Sequence, residues 1–97
     1  MASDDVLITE RAEEIRRIAR QHGAHRVRVF GSRARGEAGA SSDLDLLVDF
    51  EPGRDLLDLV ALKQDLEQLL GCRVDVVEEE GLSPYLRQRV VEEARVL

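Results

Sequence analysis

Cysteine, proline and aromatic residues are scarce in this chain: one cysteine, two prolines, two phenylalanines, one tyrosine and no tryptophan among 97 residues. A single cysteine closes no internal disulfide, which excludes a small secreted scaffold held by bridges. No apolar run approaches the ~20 residues of a membrane span, and Met1 to Asp5 lack the basic and apolar regions of a signal peptide. The expectation is a cytoplasmic protein with no membrane partner. Positive charge is also short, with 14 Lys and Arg against 20 Asp and Glu and a formal net charge of −6. That balance opposes non-specific attraction to a phosphate backbone, so work on long nucleic acid is disfavoured, although a local basic patch stays open. What is present is 43% hydrophobic and 35% charged residues, the balance of a globular protein. The length suits one core and leaves no room for a second lobe, so residues 1–97 are expected to form a single domain. No internal repeat, low-complexity segment or linker is visible.

Ile8, Ala12, Ile15, Ile18 and Ala19 recur at helical spacing, which predicts an amphipathic helix from Ile8 to Gln21 with Thr9 as N-cap and Gly23 as its stop. Arg26-Val27-Arg28-Val29-Phe30 alternates as a half-buried strand does, with Val27 and Val29 toward the core. Gly31-Ser32 then turns the chain into a short helix, and the small residues 37–42 form a loop leading to a second strand, Asp43 to Phe50. Pro52-Gly53 ends that strand. Asp55 caps a helix whose Leu56, Leu59, Val60, Leu62, Leu66, Leu69 and Leu70 make a broad apolar stripe, and Gly71 closes it. Arg73 to Val77 is a third strand, and a strand-helix-strand connection of this length predicts a right-handed crossover and parallel pairing. Ser83-Pro84 starts a last helix with Leu86, Val90, Ala94 and Leu97 on its buried face, the chain ending in or just after it.

The chemistry concentrates around Gly31. In a strand, side chains alternate, so Asp43 and Asp45 project from one face while Leu44, Leu46 and Val48 project from the other. Two carboxylates that close repel, and keeping both ionised calls for a cation. Gly31 lets backbone approach a ligand, and Ser32 at a helix start offers a hydroxyl beside free N–H groups to an anion. An acid pair beside an anion-binding turn points to a metal-bound nucleoside triphosphate. Parallel pairing of the third strand brings Asp75 beside the pair.

Gly-Ser, ten residues and Asp-x-Asp resembles the signature of the DNA polymerase beta-like nucleotidyltransferases. The fuller string, Gly31-Ser32-x-Ala34-Arg35-Gly36 with Ser42-Asp43-x-Asp45-Leu46, resembles the minimal nucleotidyltransferase branch. The resemblance covers almost the whole chain. It implies a mixed α/β (α+β) fold, a palm-like core with a small mixed sheet and helices mainly on one face. It also implies a carboxylate triad of Asp43, Asp45 and Asp75 that is both catalytic and metal-holding, for two Mg²⁺ ions. Asp43 and Asp45 bridge both ions, and Asp75 holds the ion that activates the acceptor. Gly31, Ser32 and Arg35 are the expected nucleotide-binding residues. The implied reaction moves AMP from ATP to a hydroxyl. Members of this branch are often paired with a helical HEPN RNase toxin and act as antitoxins that adenylylate one of its tyrosines. Two alternatives stand beside this reading: transfer to a small molecule such as an aminoglycoside, whose enzymes carry a further domain, and a non-catalytic antitoxin subunit acting by contact. A homo-oligomer through the last helix is also open.

Each candidate has a plainer reading. Asp75 interrupts an apolar strand and, on an edge, could simply face water. Asp49, ~13 Å along the strand from Asp45, reads as a solvated strand end. Ser32 could serve as a helix cap only, a role compatible with phosphate binding. Arg35 could contact phosphate or brace the acidic loop by ion pairing, with nothing to separate the two. Arg33 is expected at the surface, His22 and His25 as solvated turn residues without a zinc pattern, Cys72 as a small buried apolar residue, and Glu78 to Glu80 as a solvated loop.

Overall fold

The computed structural model describes residues 6–35 and 43–97. Helix α1 (Val6–Gln21) leads to strand β1 (Ala24–Phe30), and β2 (Leu44–Phe50) is followed by α2 (Leu56–Leu70). Then come β3 (Val74–Glu78), a 3-10 turn (Glu79–Gly81), α3 (Pro84–Glu93) and β4 (Arg95–Val96). The sheet order is β3-β2-β1-β4; β1 runs antiparallel to β2 and β4, and β3 runs parallel to β2. The mixed sheet and parallel crossover agree with the sequence reading.

The sheet buries one face under α1 and α2. Leu44, Leu46 and Val48 from β2, Val27 and Val29 from β1, and Val74 and Val76 from β3 form one cluster with Ile15, Ala19, Leu62 and Leu66 of the helices. Full burial of each such aliphatic side chain contributes about 1.5–3 kcal/mol. Asp55 caps α2 through a reciprocal box with Asp58, and Gly71 ends it. The expected apolar stripe is narrower than the sequence suggests. Leu56 and Val60 are exposed, Leu59, Leu69 and Leu70 are partly buried against the cluster, and Leu62 and Leu66 are the fully buried residues of α2.

Several boundaries differ from expectation. Helix α1 begins at Val6, so Thr9 lies inside it and caps nothing; Gly23, at φ +81°, does stop it. Strand β1 starts at Ala24 and carries an irregularity: His25 pairs with Asp49 and Arg28 with Leu47, so Arg26 and Val27 face the single residue Val48. Arg26 adopts φ +51° there, in the manner of a β-bulge. Helix α3 begins as read, at Ser83-Pro84, but buries no side chain; Leu86 is exposed. The chain then turns into β4 instead of continuing the helix, because the backbone of Arg95 and Val96 pairs with Val29 and Arg28 at the open edge of β1.

On the face opposite α1 and α2, Arg28 lies buried with its guanidinium 3.0 Å from Glu79 and 3.7 Å from Asp49. Asp49 also meets Arg26 at 3.3 Å. Asp49 is thus an ion-pair partner, not a solvated end, and Glu78 belongs to β3 while Glu79 accepts from a buried cation. A buried guanidinium needs such carboxylates to offset its lost hydration. His22 is likewise not a solvated residue: its Nε2 lies 2.6 Å from Asp65 of α2, fastening the α1–β1 turn to that helix. His25 is exposed and Cys72 half-buried. Among the described residues no helix is long and apolar enough to cross a membrane.

Candidate active site

Strand register assembles the carboxylates. Asp45 of β2 lies directly opposite Asp75 of β3, and Asp43 precedes Asp45 by two residues, so all three belong to the face turned away from the core. Asp45 is half-buried; Asp43 and Asp75 are exposed, and β3 is an edge strand, as the plainer reading of Asp75 also requires. Burial, followed by the charges of Asp75, Asp43 and Glu93, pushes the Asp45 carboxyl above its ordinary value, with Arg35 acting the other way. This is a site with more negative than positive charge around its central group. Asp43 has a loose ionic neighbour in Arg73, at 3.9 Å.

Among the described residues no three acid, histidine or cysteine side chains already converge on one ion position. The donor set nevertheless suits a divalent cation: carboxylates on β2, on β3 and just before β2 offer the hard oxygen ligands that Mg²⁺ prefers.

The antiparallel pairing of Phe30 with Asp45 sets Gly31 beside the central carboxylate. Gly31 has φ +79°, and a Cβ built on it would lie 2.2 Å from Asp45 Oδ2. Any other residue would have to push the Asp45 carboxyl aside and hold a left-handed backbone, so the position favours glycine. Residues 32–35 form turns instead of the expected short helix, a single helical turn closed by the Arg35 N–H donating to the Gly31 carbonyl at 3.1 Å. Ser32 follows Gly31 in this turn, half-buried. Gly36, Ser42 and the loop expected over 37–42 lie outside the described residues. Arg33, expected at the surface, is buried, because the turn directs it into a cleft with Thr9, Ala12 and Leu97.

Glu93, the last residue of α3, was not among the expected site residues. Its Oε2 accepts from the Gly31 N–H at 2.9 Å, and its other oxygen accepts from the Arg35 guanidinium. Partial burial works to raise the Glu93 carboxyl, but Arg35 and the Gly31 N–H outweigh it and hold the group below its usual range. Of the two roles left open for Arg35, ion pairing is observed among the described residues, with Glu93 of α3. One signal was available in the sequence: a carboxylate at a helix C-terminus opposes the macrodipole and therefore calls for donors elsewhere. Gly31, Arg35 and Glu93, with Phe30, Leu86 and Arg89, line a cleft of about 580 Å³, within the range of small-molecule sites.

A family model described as a nucleotidyltransferase domain matches residues 12–97. The protein adenylyltransferase MntA of Thermococcus cleftensis is 40% identical over 87 residues, covering 90% of this chain and 85% of that one. A solved structure titled as a provisionally assigned minimal nucleotidyltransferase superposes with a TM-score of 0.83 at 59% identity, over 94% of this chain and 95% of the other. A toxin–antitoxin crystal structure with AMP-PNP has a TM-score of 0.76 at 27% identity, over 87% of this chain and 69% of its own. The strand-turn-strand geometry around Asp45 and these likenesses agree, and the chain belongs to the nucleotidyltransferase family, in its minimal branch, as a nucleotidyltransferase enzyme.

Proposed function

We propose that this chain transfers AMP from ATP, in the presence of Mg²⁺, to a tyrosine hydroxyl of a helical HEPN-type RNase toxin, and so acts as its antitoxin. The observation that carries the proposal is the contact between Gly31 and Asp45, with Asp75 opposite Asp45 in register. It sets the turn proposed to bind the anion beside the acid group proposed to bind the cation. The kinship to a protein adenylyltransferase and the likeness to a toxin–antitoxin structure with a nucleotide analogue support the choice of donor and acceptor.

Asp43, Asp45 and Asp75 are the residues that would hold the metal, which when bound neutralises phosphate charge and makes the acceptor hydroxyl more acidic. The N–H of Gly31, the hydroxyl of Ser32 and the Arg35 guanidinium are assigned to the β- and γ-phosphates. Asp75, exposed on its edge strand, takes the acceptor's proton. The acceptor oxygen bonds to the α-phosphorus, the bond from that phosphorus to the bridging oxygen breaks, and pyrophosphate leaves with the electron pair.

Intact-mass spectrometry of this protein, Mg·ATP and a co-encoded helical RNase tests the proposal. One AMP added to a partner tyrosine by the wild type, and none by the Asp43→Asn/Asp45→Asn variant, is the expected result. An unchanged partner whose RNase activity both proteins suppress equally would mean inhibition by contact. Modification of small aminoglycoside-like hydroxyl compounds in place of the partner would move the acceptor to the small-molecule class.

A further inference from the structure

Glu93 holds the donors assigned above to the polyphosphate. Its carboxylate accepts from the Gly31 N–H at 2.9 Å with one oxygen and from Arg35 with the other, a bidentate use of two donors that is also how a phosphate oxygen pair would sit. Geometry forbids sharing: one N–H pointed at a carboxylate oxygen cannot also serve a phosphate at full strength. Glu93 also adds negative charge beside Asp45, where Asp75 and Asp43 already act on that carboxylate and a bound triphosphate would add more.

We propose that Glu93 is an internal competitor for the polyphosphate, a side chain that sets nucleotide affinity by exchanging places with phosphate at Gly31 and Arg35. The inference rests on the assignment of those two residues to the nucleotide. The surroundings permit the exchange. Glu93 sits on a helix with no buried side chain, and the cleft between α3 and the Phe30–Gly31 turn gives its side chain room to rotate. At the C-terminus of α3 the helix dipole opposes the carboxylate, so withdrawal from these donors leaves it solvated instead of rebound to its own helix. The arrangement also keeps the turn formed and Arg35 oriented, which lowers the ordering cost when phosphate takes over.

Calorimetric titration of the full chain with Mg·ATP tests this without reference to transfer activity. Glu93→Gln keeps the shape but weakens the competitor, and Mg·ATP should bind about tenfold tighter, the factor that ~1.4 kcal/mol gives. Glu93→Asp retains the charge but withdraws it by one methylene, and should also tighten binding, by about threefold. Glu92→Gln removes the same charge from a residue lining the same cleft without a bond to Gly31, and should change affinity by less than about twofold. Equal tightening by Glu92→Gln and Glu93→Gln would reduce the effect to general repulsion and overturn the proposal. Weaker binding by both Glu93 variants would make Glu93 a brace that Arg35 needs, and overturns it as well. Binding by the wild type in either case leaves the nucleotide reading intact, whereas no binding of Mg·ATP by any of the four proteins removes both.

Discussion

Helices α1 and α2 on one side and helix α3 on the other are held to the same sheet by different forces. The first two place Ile15, Leu62 and Leu66 at zero exposure against Leu44, Leu46 and Val48, all equally buried. Helix α3 buries nothing and is tied by polar contacts, Glu93 to Gly31 and Arg35 and Arg87 Nε to the Glu79 carbonyl. Apolar packing is dense and penalises changes of volume, whereas exposed polar contacts are individually worth little and exchange readily with other partners. The carboxylates proposed to hold the metal stand on or beside the densely packed sheet, and Glu93, which meets the donors proposed for phosphate, stands on the helix held by polar contacts.

The sharpest way to break this comparison is at the acid pair. Asp43→Asn with Asp45→Asn should lower AMP transfer by about 10³-fold or more while leaving the circular dichroism spectrum unchanged, since metal charge stabilisation is worth several kcal/mol and the site contributes nothing to the core. Next comes packing itself. Leu62→Ala should cost about 2–5 kcal/mol of unfolding free energy in a denaturant titration, and Val91→Ala on α3 no more than about 0.5 kcal/mol. Equal losses would show that α3 carries apolar packing after all. Gly31→Ala joins the two regions: the left-handed backbone alone costs about 1–2 kcal/mol, and the new methyl displaces Asp45, so both the thermal midpoint and Mg·ATP affinity should fall.

The smallest effect concerns the sign of the charge imbalance. The Asp45 carboxyl binds its proton more tightly in the fold than in the unfolded chain, so stability falls as pH rises from 3.8 through its raised value. Above that window ionised Asp45 costs stability, and Asp45→Asn should raise the melting temperature at pH 7, by a gain that solvent screening keeps under about 1 kcal/mol. The gain should vanish below pH 3.8, where the carboxyl is protonated in both states. A lower melting temperature for the variant at pH 7 would contradict the charge imbalance.

The elements and the acid cluster were readable because they are local. Alternation in Leu44 to Phe50 fixes which face holds Asp45, and caps at Asp55, Gly71 and Ser83 bound two helices. Asp75 became legible through one further step, the parallel pairing that a helical crossover favours. What escaped notice is long-range polar pairing: Arg28 meets Glu79 and Arg35 meets Glu93 across separations of 51 and 58 residues, and nothing in the flanking sequence names the partner. Strand β4 escaped for a related reason. Two residues carry no periodicity of their own, and Leu97 continues the apparent spacing of α3 although its N–H bonds to Val27 in the sheet. Leu56 and Val60 share the apolar periodicity of α2 yet are exposed, since the pattern shows which residues are apolar but not which of them meet the core.

The extra residue in β1 acts on the acid site as a reading frame acts on a codon. Upstream of the bulge Ala24 pairs with Phe50 and His25 with Asp49; downstream Phe30 pairs with Asp45, one step out of phase with that count. If every residue of β1 paired one for one with no bulge, the same count would set Phe30 opposite Leu44, turn it toward the helices, and carry Gly31 past Asp45. The bulge is therefore what absorbs the extra residue and keeps both ends of the strand in frame. Deleting Arg26 would leave Ala24 with Phe50 and Phe30 with Asp45 both in register, whereas keeping it without the bulge would hold one pair at the expense of the other.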